Sequence, residues 1–328
     1  MKITLFHIFC TFIILIVIGC DSNSPTGPKE DHTYDEILLL YPDFITQNED
    51  YFITQIENTP ILSADTYKLT VKGIGETELS FSLDDLLNLE MVEYPITIEC
   101  IGNPDNGSRL STAYWKGFHV YDFLRGIGMP DSVGGVKYTA EDGYFASHTL
   151  EQIKNNNVIG ALFMNGVTIP REQGFPLRMI IPGYYGAKQP AWVTSIEILS
   201  EEDINNSRND YWAPGWDVSS PIETDSKIFF PNSLAEIQQG ESLAFGGAAY
   251  STSRITNVEI SIDSGVSWQE TDIIKSIDFD NVWVYWYINL IFPEIGTYNV
   301  LARATDNNGA TQQDRMPSIN VIVNEKLQ

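Results

Sequence analysis

The patterning of the chain changes at about Asp225, and the two stretches it separates cannot belong to one sheet or one bundle. Before it, strand-like runs alternate with helix starts. Tyr67–Val71 alternates in polarity and stops at Gly73 and Gly75, and Ser82 with Asp85 forms a capping pair ahead of a short helix. Ile96–Cys100 is a β-branched run halted by Gly102 and Asn103, and the apolar spacing from Trp115 to Leu124 predicts a helix ending at Gly126. Leu177–Pro182 and Trp192–Leu199 read as strands around a Gly183–Gly186 loop. No regular βαβ repeat is present, so this part is α+β. After Asp225, short strands recur at Leu243–Ala249, Ile255–Ile262, Val282–Leu290, Thr297–Ala304 and Ser318–Val323, separated by Gly, Asn, Asp and Pro. That rhythm predicts an all-β, immunoglobulin-like sandwich, here without a cysteine pair. The segment between carries Tyr211, Trp212 and Trp216, an aromatic load that predicts packing against the first domain rather than a linker.

The N-terminus follows a different logic. Lys2 precedes an almost wholly apolar run, Leu5–Ile18, too short to span a bilayer comfortably and suited to a signal-peptide core. It ends in Val17-Ile18-Gly19-Cys20, which resembles a bacterial lipobox and implies cleavage before an acylated Cys20. The Asp-, Ser-, Pro- and Gly-rich residues that follow read as a tether. The expected layout is therefore signal peptide 1–19, lipidated cysteine and tether 20–45, α+β domain 46–224 and sandwich 225–328, on an extracytoplasmic, membrane-anchored protein of the cell envelope. Of three cysteines, Cys10 leaves with the signal and Cys20 takes the lipid, so Cys100 alone remains as a thiol. Outside the cytoplasm a lone thiol is either buried and inert or functional.

A formal net charge of -25 offers no basic stripe to meet phosphates, which excludes nucleic acid as a partner and points instead to a basic one, such as an electron carrier. His32, His119 and His148 are too scattered for a zinc site, and no nucleophile elbow, P-loop or dinucleotide fingerprint is present. Cys100 closes a strand where loops meet. One thiolate suffices for a metal when a cofactor supplies the remaining donors, so chemistry alone reaches a single-thiolate cofactor site.

The run Ile96-Thr-Ile-Glu-Cys-Ile-Gly-Asn103 followed by Ala113-Tyr-Trp-Lys-Gly117 resembles the cysteine segment of sulfite-oxidase-like molybdopterin enzymes. Asn165-Gly166, Gly174-Phe-Pro-Leu-Arg178, Ile181-Pro-Gly183 and Tyr185-Gly-Ala-Lys188 are similar to a second signature of that family. Ser261–Trp268 and Arg303–Gly309 resemble its C-terminal dimerisation domain. The resemblance implies a sulfite-oxidase-type fold, with molybdenum bound by Cys100 beside the dithiolene of one pyranopterin. Phe52, Ile53 and Thr54 would cradle the pterin, and Asp142, Gln173 and Arg178 would hold its polar edge and phosphate. The loop Gly186, Ala187, Lys188, Gln189, Pro190 and Ala191 would add backbone N–H groups and the Lys188 ammonium, and Tyr211 would reach the substrate pocket. It further implies a small-molecule substrate and a homodimer. With no haem motif in the chain, electrons would pass to an external carrier, a cytochrome c or a membrane quinol-linked protein.

Departures from the family pattern bear on substrate. Where sulfite oxidases carry arginines after the cysteine turn, this chain has Pro104 and Asp105, and Thr54 and Ile56 replace a further arginine and histidine. An anionic substrate needs cations, and Asp105 is expected to repel one, with Arg109 the nearest candidate substitute. Three readings follow: an oxygen-atom-transferring oxidase, an S- or N-oxide reductase of the same fold, and a non-catalytic surface-binding lipoprotein.

Overall fold

The computed structural model describes residues 34–75, 78–205, 210–212 and 217–326, so the signal, Cys20, Trp216 and most of the tether lie outside the described residues. Helix Tyr34–Leu38 belongs to a separate N-terminal unit, and the chain from Leu40 onward forms one compact unit. Among the described residues no helix is long and apolar enough to cross a membrane.

The first domain holds two sheets. One orders Leu79–Ser82, Lys68–Lys72, Val193–Leu199, Gly135–Ala140 and Phe145–Thr149, with Lys68–Lys72 parallel to Val193–Leu199 and every other pair antiparallel. The other orders Val92–Glu99, Leu110–His119, Ile159–Met164 and Val167–Thr168, with Arg178–Ile180 also pairing Ile159–Met164. Ser82 and Asp85 make the expected capping box, and Leu86 beneath it is buried. The predicted helix from Trp115 is corrected: Leu110–His119 is a strand, and the helix is only Val120–Gly126. The apolar spacing was misleading because this strand is central, bonded to Val92–Glu99 on one side and Ile159–Met164 on the other, and so buried on both faces. Gly117 permits the close approach, since a Cβ there would lie 2.0 Å from the Gly160 carbonyl oxygen.

The second domain is the expected sandwich. One sheet orders Asp225–Phe230, Ser242–Tyr250, Val284–Ile291 and Asp272–Lys275; the other orders Ala235–Gln238, Ser318–Asn324, Gly296–Asp306, Ile255–Ser261 and Gln269–Glu270. Trp286, Phe245, Val300 and Val321 fill the space between them. Each such fully buried aliphatic or phenyl side chain contributes roughly 1.5–3 kcal/mol relative to exposure.

Residues 40–45, expected as the end of the tether, pack instead against the sandwich. Tyr41 stacks on Tyr285 and Phe44 meets the Tyr285 ring edge-on. The Trp283 indole N–H donates to the Phe44 carbonyl at 2.9 Å, while Thr46 exchanges bonds with Thr112 of the first domain. Thr97 completes the join: its N–H donates to the Asn281 carbonyl and its hydroxyl accepts from the Trp283 N–H. The strand that delivers Cys100 is thus bonded to both domains.

Candidate functional site

Val92–Glu99 alternates little and is buried over its last five residues, so its end is fixed and Cys100 emerges as a half-buried free thiol. The loop after it is closed by the Cys100 N–H donating to the Arg109 carbonyl at 3.0 Å and by the Asn103 N–H donating to the Cys100 carbonyl at 2.8 Å. Buried Asn103 braces the loop from within, its side-chain oxygen accepting from the Arg109 N–H and its amide donating to Glu99. Arg109 folds back so that a guanidinium N–H points at the Cys100 sulfur, 3.9 Å away. Asp105 does not stand as a lone repelling charge, because the Arg315 guanidinium lies 3.5 Å from it. Arg109 thus lies by the cysteine, while the charge of Asp105 is partly neutralised from the other domain.

Across from the loop runs the turn Gly186–Lys188, with Gly186 against the backbone of Glu99. Of the backbone N–H groups expected from the 186–191 loop, some are already used within the turn. The amides of Lys188 and Gln189 donate to the Tyr185 and Gly186 carbonyls, and those that begin such a turn, Gly186 and Ala187, are the ones without an internal acceptor. The Lys188 ammonium is also committed: it is buried and paired with Asp210 at 2.9 Å. Pro190 accepts from the Met179 N–H, and Ala191 abuts Gly174. Gln189 donates to the Tyr184 carbonyl and leaves its buried side-chain oxygen without a partner. The His148 Nε2–H donates to the Lys188 carbonyl at 2.7 Å. Burial, then the Lys188 charge, hold its pKa down to about 3, so the ring stays neutral.

Tyr211 packs as expected on the first domain, its ring against Tyr144 and Phe145 and its N–H donating to the Phe145 carbonyl. Tyr144 was missed in the sequence. Its hydroxyl donates to the Ala187 carbonyl at 2.6 Å, and burial raises its pKa strongly, with Asp210, Asp142 and Cys100 adding to the rise. Tyr144 therefore links the turn and Tyr211. Asp142 belongs to this group, accepting from the Tyr144 N–H, and burial raises its own carboxyl pKa.

Gln173 and Arg178 form a second group. The Arg178 guanidinium donates to the backbone and side-chain oxygens of Gln173, both at 3.1 Å, and lies over the Trp115 ring. Gln173 in turn donates to the Tyr51 carbonyl, and the ring of Phe52 stacks on Tyr51. Ile53 and Thr54 are exposed beside this pair. Among the described residues no carboxylate pairs with Arg178, its buried Nε has no partner, and burial pulls its pKa down. An unpaired, partly desolvated guanidinium beside an aromatic shelf suits a bound anion with a planar group. Since no cluster of three His, Cys, Asp or Glu side chains exists among the described residues, a metal at Cys100 would take its other donors from such a cofactor. The residues fit the implied group.

Comparison with known proteins agrees. Residues 56–207 match the oxidoreductase molybdopterin binding domain model and residues 218–324 the Mo-co oxidoreductase dimerisation domain model. The chain is 28% identical to mitochondrial sulfite oxidase of Rattus norvegicus over 86% of its own length, and spans 59% of that relative. It is 25% identical to sulfite oxidase of Arabidopsis thaliana, covering 77% of this chain and 78% of the plant protein. The sulfane dehydrogenase SoxCD structure from Paracoccus pantotrophus has the same fold, with a TM-score of 0.69 at 21% identity over 83% of this chain and 75% of that one. The chain belongs to the sulfite-oxidase-like molybdopterin family.

Proposed function

From that membership we propose that the protein is a molybdenum-dependent oxidoreductase carrying one pyranopterin, which transfers an oxygen atom to or from a small substrate in a two-electron step. The observation that carries the reading is the free Cys100 thiol with the Arg109 guanidinium 3.9 Å from it, at the end of a strand fixed by two domains. When bound, the cofactor would supply the redox centre. Cys100 would be its one protein ligand, Arg178 and Gln173 would hold its anionic end, and Tyr144 and Tyr211 would shape access. Arg109 places a cation where an oxyanion would dock, which supports sulfite or a similar anion as substrate despite Pro104 and Asp105. Electrons would leave singly through an external carrier such as a cytochrome c, for which the acidic chain offers charge complementarity to a basic surface. The dimerisation-type sandwich supports a homodimer, and the lipobox-like sequence supports anchoring through Cys20 in the cell envelope.

The test is metal analysis followed by turnover with artificial electron mediators. About one molybdenum per chain is expected, with Cys100→Ser folded but slower by about a hundred-fold or more, since oxygen is a poorer soft-metal donor than thiolate. Sulfite is expected to turn over, and Arg109→Gln to raise its KM by roughly ten- to a hundred-fold while leaving a neutral sulfoxide unaffected. Turnover of sulfoxide but not sulfite would move the reading to an oxide reductase, and absence of molybdenum would leave a non-catalytic lipoprotein.

A further inference from the structure

The Cys100 loop is built by the first domain but held by the second. Lys227 is buried in the sandwich strand Asp225–Phe230 and reaches across the join to the carboxylate of Glu99, the residue before the cysteine, at 3.2 Å. The same ammonium pairs with Asp225 at 3.0 Å and lies 3.5 Å from the Pro104 carbonyl. One residue on, the Ile228 N–H donates to the Asn106 side chain at 3.1 Å. Arg315, just before the last sandwich strand, donates to the Asn103 carbonyl at 2.7 Å besides facing Asp105. Tyr250 and Gln312 fix Asp225 from behind, so the clamp is rigid on the sandwich side.

We propose that Arg315, with Lys227 and the Ile228 amide, acts as a positioning group of the C-terminal sandwich that locks the Cys100 loop and so sets the placement of the sulfur. It deepens the molybdenum reading, which makes that sulfur a ligand, but the clamp is a property of the polypeptide alone. None of the three groups is placed on substrate or cofactor; they act through Glu99, Asn103, Pro104 and Asn106. Each loop carbonyl or side chain they hold would otherwise open to water. Because a charge-assisted bond holds more tightly than a neutral one, Arg315 is the strongest external tie on the exposed part of the loop.

The full chain, stripped of cofactor, is labelled with iodoacetamide, and the rate is read by mass on the peptide that carries Cys100. Arg315→Ala is expected to raise the rate by about five-fold, the loop opening that loss of one charge-assisted hydrogen bond allows, with near-UV circular dichroism unchanged. Arg315→Lys, which keeps a cation within reach of the Asn103 carbonyl, is expected to return it to within about two-fold of the wild type. Asn106→Ala, an exposed loop change that cannot unfold the sandwich, is expected to raise it by a smaller factor, and decides the matter if Arg315→Ala misfolds. A rate within two-fold of wild type in folded Arg315→Ala and in Asn106→Ala, or an Arg315→Lys protein as reactive as Arg315→Ala, would overturn the proposal. Absence of molybdenum from wild type would remove the cofactor reading and leave this measurement standing, because it reads the thiol alone.

Discussion

Lys227 at the domain join and Arg178 beside Trp115 are both cations withdrawn from water, yet the protein treats them in opposite ways. Lys227 is enclosed by two carboxylates, Glu99 and Asp225, while Arg178 has only the neutral oxygens of Gln173 and a buried Nε with nothing to bond. Lys188, paired with Asp210, follows Lys227. A cation with its counter-charge built in is part of the frame. One without it keeps an unanswered charge, and that is the feature on which the proposal of an anionic ligand at Arg178 rests. Charge alone therefore does not separate these cations; whether a carboxylate answers it does.

The largest effect should fall on the framed cation. Lys227→Ala leaves Glu99 and Asp225 without their shared cation and should cost about 3–5 kcal/mol in urea unfolding, whereas Lys227→Met combined with Glu99→Gln should recover part of it, the remaining Asp225 carboxylate keeping its bonds from Tyr250 and Gln312. Equal losses in the single and double variants would mean that the ion pair is not what Lys227 contributes. Next comes His148, which obeys the same rule by refusing a charge next to Lys188. The unfolded chain takes up its proton below about pH 6.5 and the folded chain only near 3, so stability present above 6.5 is lost as pH falls through that window. Between pH 7 and pH 5 the wild type should lose roughly 2 kcal/mol more than His148→Gln, from 1.36 kcal/mol per unit of separation. Parallel pH profiles would show that the ring is not held neutral. The smallest effect should come from Arg178→Gln, which removes an unanswered charge and should change the stability of the cofactor-free chain by no more than about 1 kcal/mol. Its molybdenum content should nevertheless fall. A strongly destabilised Arg178→Gln would place that guanidinium in the frame with Lys227.

Much of this was legible in the residues. The capping box at Ser82, the strand ending at Cys100 and the five sandwich strands all rest on local pattern. The helix read over Trp115–His119 failed because a strand buried on both faces loses its alternation, and only the pairing with Tyr94 and Met164 reveals it. Asp105 was legible as a charge but not as a neutralised one, since its partner Arg315 comes from the other domain. Tyr144 and Glu99 carried no signal at all: a tyrosine before a strand and a glutamate within one are ordinary until distant segments close on them. The pairing of Lys188 was not legible for the same reason, its carboxylate being contributed from the aromatic segment near Tyr211.

The clamp on the cysteine loop also has a consequence in time. Arg315 lies 212 residues after the Asn103 carbonyl it holds. At a synthesis rate of about 5–20 residues per second, the ribosome takes roughly 10–40 s to supply the second contact after making the first. Until Lys227 is made Glu99 lacks the ammonium that answers it, and until Arg315 follows the loop lacks its last external tie. The bonds within residues 100–109 can form early, but the tie from the sandwich comes only after nearly the whole chain has been made, which places the final bracing of the loop among the last events of folding.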